Sequence, residues 1–202
     1  MMKPKLLIPL AVGVALGLAL IVALAQVFGA YRFHGMLMRS DERAYNFTLT
    51  NASTGEPVAL SDYRGRAVLL YFGYTTCPDI CPATLSDMAR AEQLLGNLAD
   101  DLQMIFVTVD PERDTPEKIR DYISYFSPEM VGLVSDPETT QATAFQFGVV
   151  YEKQQVGSSA GYLVDHTATI MLIDRNGYLR VVFPFGTTPE EMADDIRYVL
   201  TH

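Results

Sequence analysis

The chain has 202 residues and 49% hydrophobic content, enough for one domain with a real core plus an appendage, which excludes bulk disorder. Its formal charge is −9, and Lys3 and Lys5 are the only charges before residue 29, so the remainder is more acidic still; no nucleic-acid partner is expected of such a surface. The two cysteines fall at positions 77 and 81, too few for a disulfide scaffold and close enough to point to redox or metal chemistry.

The run from Leu6 to Phe28 has no charged side chain. A helix of ~20 residues crosses the ~30 Å hydrocarbon core of a bilayer, so residues 1–28 are expected to form an uncleaved membrane anchor. A cleaved signal peptide is the alternative, because Ala23-Leu24-Ala25 has the small-x-small form of a cleavage site. Signal-peptide cores run only ~7–15 residues, which favours the anchor. Either reading exports the rest of the chain. With no Arg/Ser-rich transit peptide, the expected location is the inner (cytoplasmic) membrane, single-pass, with the soluble domain in a bacterial periplasm. Residues 29–44 read as a polar tether and residues 45–202 as one domain.

Within that domain, Asn46–Thr50 and Pro57–Leu60 are short strand candidates joined by the hairpin-like turn Asn51-Ala52-Ser53-Thr54-Gly55. Ala67–Phe72 (AVLLYF) is a continuous apolar run, as expected for a strand buried on both faces. Leu85, Met88, Leu95 and Leu98 recur at helical spacing, and Pro82 fits a first helical position. Met104–Val109 predicts a second buried strand. Thr115-Pro116-Glu117 caps a helix running to about Phe126. Val131–Val134 reads as a strand, Asp136-Pro137-Glu138 opens another helix, and Val149–Glu152 is a strand candidate. Thr167–Ile173 and Tyr178–Phe183 are strands joined by a turn containing Asn176-Gly177. Thr188-Pro189-Glu190-Glu191 starts the last helix with a capping box.

This order predicts an α/β domain with a mixed central sheet flanked by helices and an extra N-terminal hairpin. A cysteine motif between the first long strand and its helix makes the arrangement thioredoxin-like.

Cys77 and Cys81 sit in YFGYTTCPDICP, at that strand-to-helix junction. Positions four apart on a helix lie ~5–6 Å apart at Cβ, so a small adjustment closes a disulfide, and the same spacing lets two thiolates grip one metal ion. A helix N-terminus favours thiolate over thiol. The bland alternative is two buried cysteines acting as small hydrophobes. His166 is one of three histidines, with His34 in the tether and His202 at the end of the chain. A lone histidine is most often a surface or satisfied core residue. The strand that carries it in this architecture neighbours the cysteine loop, which makes it a candidate third ligand. Two thiolates and an imidazole favour copper, as Cu(I) or Cu(II), over structural zinc, which wants four protein ligands.

The combination of TTCPDICP, VTVDPERDTPE and DHTATIMLID after an N-terminal membrane segment resembles the Sco/SenC family. The resemblance spans about residues 45–201. It implies a copper-binding, thioredoxin-fold assembly factor for cytochrome c oxidase, with Cys77, Cys81 and His166 as copper ligands. It further implies oxidase subunit II as partner, either receiving copper at its CuA centre or having that site's cysteines reduced before metallation. The family carries an acidic pair similar to Asp110 and Asp114, which implies an accessory role in metal or partner interaction; turn and cap chemistry is their plainer reading. Thioredoxin-like redox enzymes place a cis-proline at the start of the strand facing the cysteines, where Ala168 stands here; its absence weakens a general oxidoreductase reading. A metallochaperone without enzymatic turnover of its own is therefore expected, and a thiol–disulfide oxidoreductase using Cys77 and Cys81 is the alternative. A peroxidase is disfavoured because no arginine lies in the cysteine loop.

Overall fold

The computed structural model describes residues 13–20, 31–155 and 162–202. The chain divides into two compact units, Met1–Arg32 and Phe33–His202. Of the expected anchor, only residues 13–20 are described, and they are helical; the rest of Leu6–Phe28 lies outside the described residues. Among the described residues no helix is long and apolar enough to cross a membrane.

The second unit is built on an eight-stranded sheet in the order β1-β10-β9-β4-β5-β6-β2-β3. Its centre is β4 (Ala67–Gly73) and β5 (Leu102–Thr108), paired in parallel and buried at every position. Their unbroken apolar runs fit strands covered on both faces, each fully buried Leu, Ile or Phe contributing about 1.5–3 kcal/mol. β6 (Val131–Val134) extends the parallel part. The sheet then turns antiparallel through β2 (Thr48–Asn51) and β3 (Pro57–Ala59) on one side, and β9 (Ile170–Ile173) and β10 (Leu179–Phe183) on the other.

Among the described residues of this unit, four α-helices accompany the sheet: α1 (Ile80–Leu95), α2 (Pro116–Ser124), α3 (Pro137–Gln146) and α4 (Pro189–Thr201). α1 packs with α4, and α2 lies on β6. The caps fall where the sequence signals them. Thr115, Asp136 and Thr188 each accept a backbone N–H with their side chains, each is followed by proline, and Glu191 completes the capping box of α4.

Four expectations are corrected. The stretch read as a tether contributes β1 (Met36–Leu37), which pairs with β10, because the buried Asp195 carboxylate accepts the N–H groups of His34 and Gly35 and holds the chain there. Pro82 is the third residue of α1 rather than the first; a proline anywhere in the first turn removes a donor that has no helical partner. Leu98 lies beyond α1, in a 3-10 segment, Gly96–Asp101. The region around the histidine holds an additional strand: β7 (Tyr151–Gln155) and β8 (Tyr162–His166) form a separate two-stranded ladder, and β9 begins only at Ile170. Ala168 thus lies in the β8–β9 connection, and no described peptide bond is cis.

Candidate metal centre

The buried run of β4 delivers the chain to the C-terminal edge of the parallel strands, where open α/β sheets place their ligands. Gly73 is the last residue of the strand, and a larger side chain there would crowd its neighbours. A Cβ there would sit 2.8 Å from Tyr71, 3.0 Å from Phe106 and 3.2 Å from Cys81 Sγ. The chain then turns through Tyr74–Asp79 into α1. Cys77 lies in the loop, partly exposed, and Cys81 lies in the first turn of the helix, fully buried. The two thiols are free, and Cys77 Sγ accepts the Cys81 backbone N–H at 3.4 Å.

His166 ends β8 and reaches the same point from another part of the sequence. Its Nε2 lies 3.4 Å from Cys81 Sγ, and its Nδ1 lies 3.3 Å from the Thr167 carbonyl oxygen. A carbonyl only accepts, so the tautomer protonated on Nδ1 satisfies this contact and turns the Nε2 lone pair toward a metal, whereas the tautomer protonated on Nε2 donates to the cysteine sulfurs. Tyr71 and Tyr74 wall the imidazole edge-on, with centroids 6.0 and 5.9 Å away. The Tyr74 hydroxyl also accepts the Val164 N–H at 3.3 Å, tying β8 to the cysteine loop. A cleft of about 360 Å³ opens over the group, lined by Cys77, Pro78, Ile80, Leu163 and His166 among others.

The ligand atoms of Cys77, Cys81 and His166 all lie within 4.8 Å of one another. Bonds of ~2.0–2.3 Å to sulfur and nitrogen place donors around a shared ion ~3.5–4 Å apart, so shifts of under ~1 Å seat one metal.

The two thiols are electrostatically unequal. A hydrogen bond from Cys81, reinforced by His166 and by the N–H groups of Cys81 and Asp79, outweighs burial and holds Cys77 well below the usual thiol range. The hydrogen bond to Cys77, with burial, pushes Cys81 up. The pair therefore tends to carry one proton, on the buried sulfur, while the exposed sulfur is a thiolate. Burial pushes the Tyr74 hydroxyl up to about 12, so it stays a neutral hydrogen-bonding group.

Asp110 and Asp114 stand outside the donor cluster. Both are fully buried. Asp114 accepts the N–H and O–H of Thr75, at 2.9 and 2.6 Å, and the O–H of Thr108 at 2.6 Å. Asp110 accepts the Tyr162 hydroxyl at 2.7 Å and pairs with Arg113. Both sit in the turn that their sequence context suggests, where the Asp110 carbonyl accepts the N–H groups of Arg113 and Asp114, but with their carboxylates fully buried. Thr75, Arg113 and Tyr162 were not singled out by the sequence, since only the tertiary contacts reveal them. Arg113 comes close to the site from the β5–α2 loop, but its guanidinium bonds Asp110 and the Tyr162 carbonyl.

The family model SCO1/SenC matches residues 38–201. An SCO2-like protein of Rickettsia conorii is 33% identical over 144 residues, covering 71% of this chain and 70% of that relative. The human mitochondrial SCO1 homolog is 38% identical over 152 residues, covering 74% of this chain but 50% of its own length. Among solved structures, Bradyrhizobium japonicum ScoI with copper bound is 36% identical with a TM-score of 0.71, covering 79% of this chain and 100% of that one. The solution structure of apo Sco1 from Thermus thermophilus is also 36% identical, with a TM-score of 0.75, covering 85% of this chain and 99% of that one.

Proposed function

The chain belongs to the SCO1/SenC family, and from that premise we propose that it binds copper through Cys77, Cys81 and His166 and serves in the assembly of cytochrome c oxidase. The observation that carries this is the convergence of two cysteines and a histidine from separate segments. Thiolates suit Cu(I), and imidazole accommodates Cu(II) as well. Solved relatives with copper bound support the choice of metal.

The finer reading is delivery of copper to the CuA centre of oxidase subunit II. Cys77 is the more accessible of the two sulfur donors and lines the cleft. It is the sulfur an incoming partner thiolate can share first, while buried Cys81 releases the ion later. The chain is placed at the inner membrane, anchored by residues 1–28, with the domain that follows facing the periplasm. The charge-free run Leu6–Phe28 is long enough to cross a bilayer, which supports the anchor.

A second reading rests on the inequality of the two thiols. An exposed thiolate beside a buried, protonated partner is the arrangement of an attacking and a resolving cysteine. In that role the protein reduces cysteines of the oxidase subunit, or of another exported protein, and is itself oxidised to a Cys77–Cys81 disulfide.

An anaerobic copper titration of the reduced protein separates the two. One tightly held copper per chain, weakened in each of Cys77→Ala, Cys81→Ala and His166→Ala, is the expected result. No tight copper, together with a redox-active cysteine pair that is indifferent to His166→Ala, removes the chaperone reading and leaves thiol–disulfide exchange.

A further inference from the structure

We propose that the turn between β5 and α2 sets the spacing between the thiols and the imidazole, with Asp110 and Asp114 as positioning residues for opposite arms of the site. The inference rests on the copper reading above. Its starting point is the topology. The cysteine loop follows β4 in the large sheet, whereas His166 ends β8, whose strand partner is β7 in a separate ladder. Among the described residues no backbone ladder joins β8 to the cysteine loop, and the direct tie between them is the single Val164 N–H donated to the Tyr74 hydroxyl.

Residues 110–114 face both arms. On one side, Asp114 binds Thr75, two positions before Cys77, through both its N–H and its O–H. On the other side, Asp110 accepts the Tyr162 hydroxyl at 2.7 Å, at the start of the strand that ends in His166. Arg113, paired with Asp110, donates to the Tyr162 carbonyl at 2.8 Å and lies 3.6 Å from the centre of the Tyr162 ring. Glu112 adds an ion pair to Lys153 of β7 at 2.7 Å. The turn is closed on itself, since the N–H groups of Arg113 and Asp114 donate to the Asp110 carbonyl at 3.1 and 3.0 Å. A buried carboxylate whose oxygens are committed to such donors cannot drift without leaving polar groups unpaired. The turn therefore transmits the position of the cysteine loop to the histidine strand.

Tyr162→Phe tests this, because it keeps the ring and removes only the hydroxyl. In the metal-free reduced protein, amide exchange across residues 162–166 is expected to quicken about fivefold, the factor that one net hydrogen bond carries, with β4 and β5 unchanged. Copper affinity, measured by chelator competition, is expected to fall at least about tenfold, as on loss of other groups that orient ligands. In a His166→Ala background the same substitution is expected to cost nothing more, since the turn acts on the metal through that histidine. Asp110→Asn, which keeps an acceptor for the Tyr162 hydroxyl, should lose less affinity than Asp110→Ala. Equal losses in both backgrounds mean general destabilisation and overturn the proposal, as does unchanged exchange in β8. A wild-type protein that binds no copper, or one indifferent to His166→Ala, refutes the copper reading instead; the exchange measurement then decides the brace by itself.

Discussion

Gly73→Ala probes how tightly the site is built. The added methyl would lie 2.8 Å from Tyr71, 3.0 Å from Phe106 and 3.2 Å from Cys81 Sγ. Contacts this short force a neighbour to move, and all three neighbours are fully buried, so none can swing into solvent. Overpacking of this kind costs about 1–3 kcal/mol. The substitution also stiffens the unfolded chain, which returns about 0.4–1 kcal/mol, so a net loss of about 1–2 kcal/mol is expected. For a domain of this size each kcal/mol moves the melting temperature by about 2–4 °C, so thermal unfolding of the reduced, metal-free protein should shift down by about 2–8 °C. Copper affinity should fall with it, because one of the crowded atoms is a proposed ligand. A variant that melts at or above the wild-type temperature and binds copper equally well would refute the claim that Gly73 is there to make room for Cys81.

The thiol pair sets the alkaline behaviour of the reduced protein. Cys81 is raised, so its contribution is present below the unfolded thiol value of ~8.5 and is lost as pH climbs past it; Cys77 is lowered, so its contribution is full above ~8.5 and fades as pH falls. Urea unfolding under reductant should therefore show a stability maximum near pH ~8.5, with Cys81→Ala flattening the alkaline fall and Cys77→Ala the neutral rise. Asp195→Ala removes the acceptor for the N–H groups of His34 and Gly35. It should cost about 1–3 kcal/mol in urea unfolding and speed exchange at residues 34–37, and unchanged exchange there would rule out the clamp. Thr188→Ala should cost about 1 kcal/mol by loss of the α4 cap, read as a lower urea midpoint at constant slope.

Elements whose cause is local were legible in the chain. The apolar runs of β4 and β5 mark strands covered on both faces, and the Thr-Pro and Asp-Pro pairs mark the starts of α2, α3 and α4. The cysteine pair at a strand-to-helix junction identifies itself by spacing. Each of these signals lies within a few residues, where steric and hydrogen-bonding preferences act directly. Strand β8 was not legible in the same way. Its pairing with β7 comes from a register of distant residues, Tyr151 opposite His166, and β7 is largely polar and exposed. β1 is likewise a strand only because Asp195 and β10 hold it. The largest gap lies at Asp110 and Asp114. In sequence they are turn residues, yet folding buries them completely and aims them at Tyr162 and Thr75, 52 and 39 positions away. The sequence by itself determined which atoms are available for copper. Only the tertiary structure decided that His166 meets Cys77 and Cys81, because that approach depends on contacts between segments that share no local pattern.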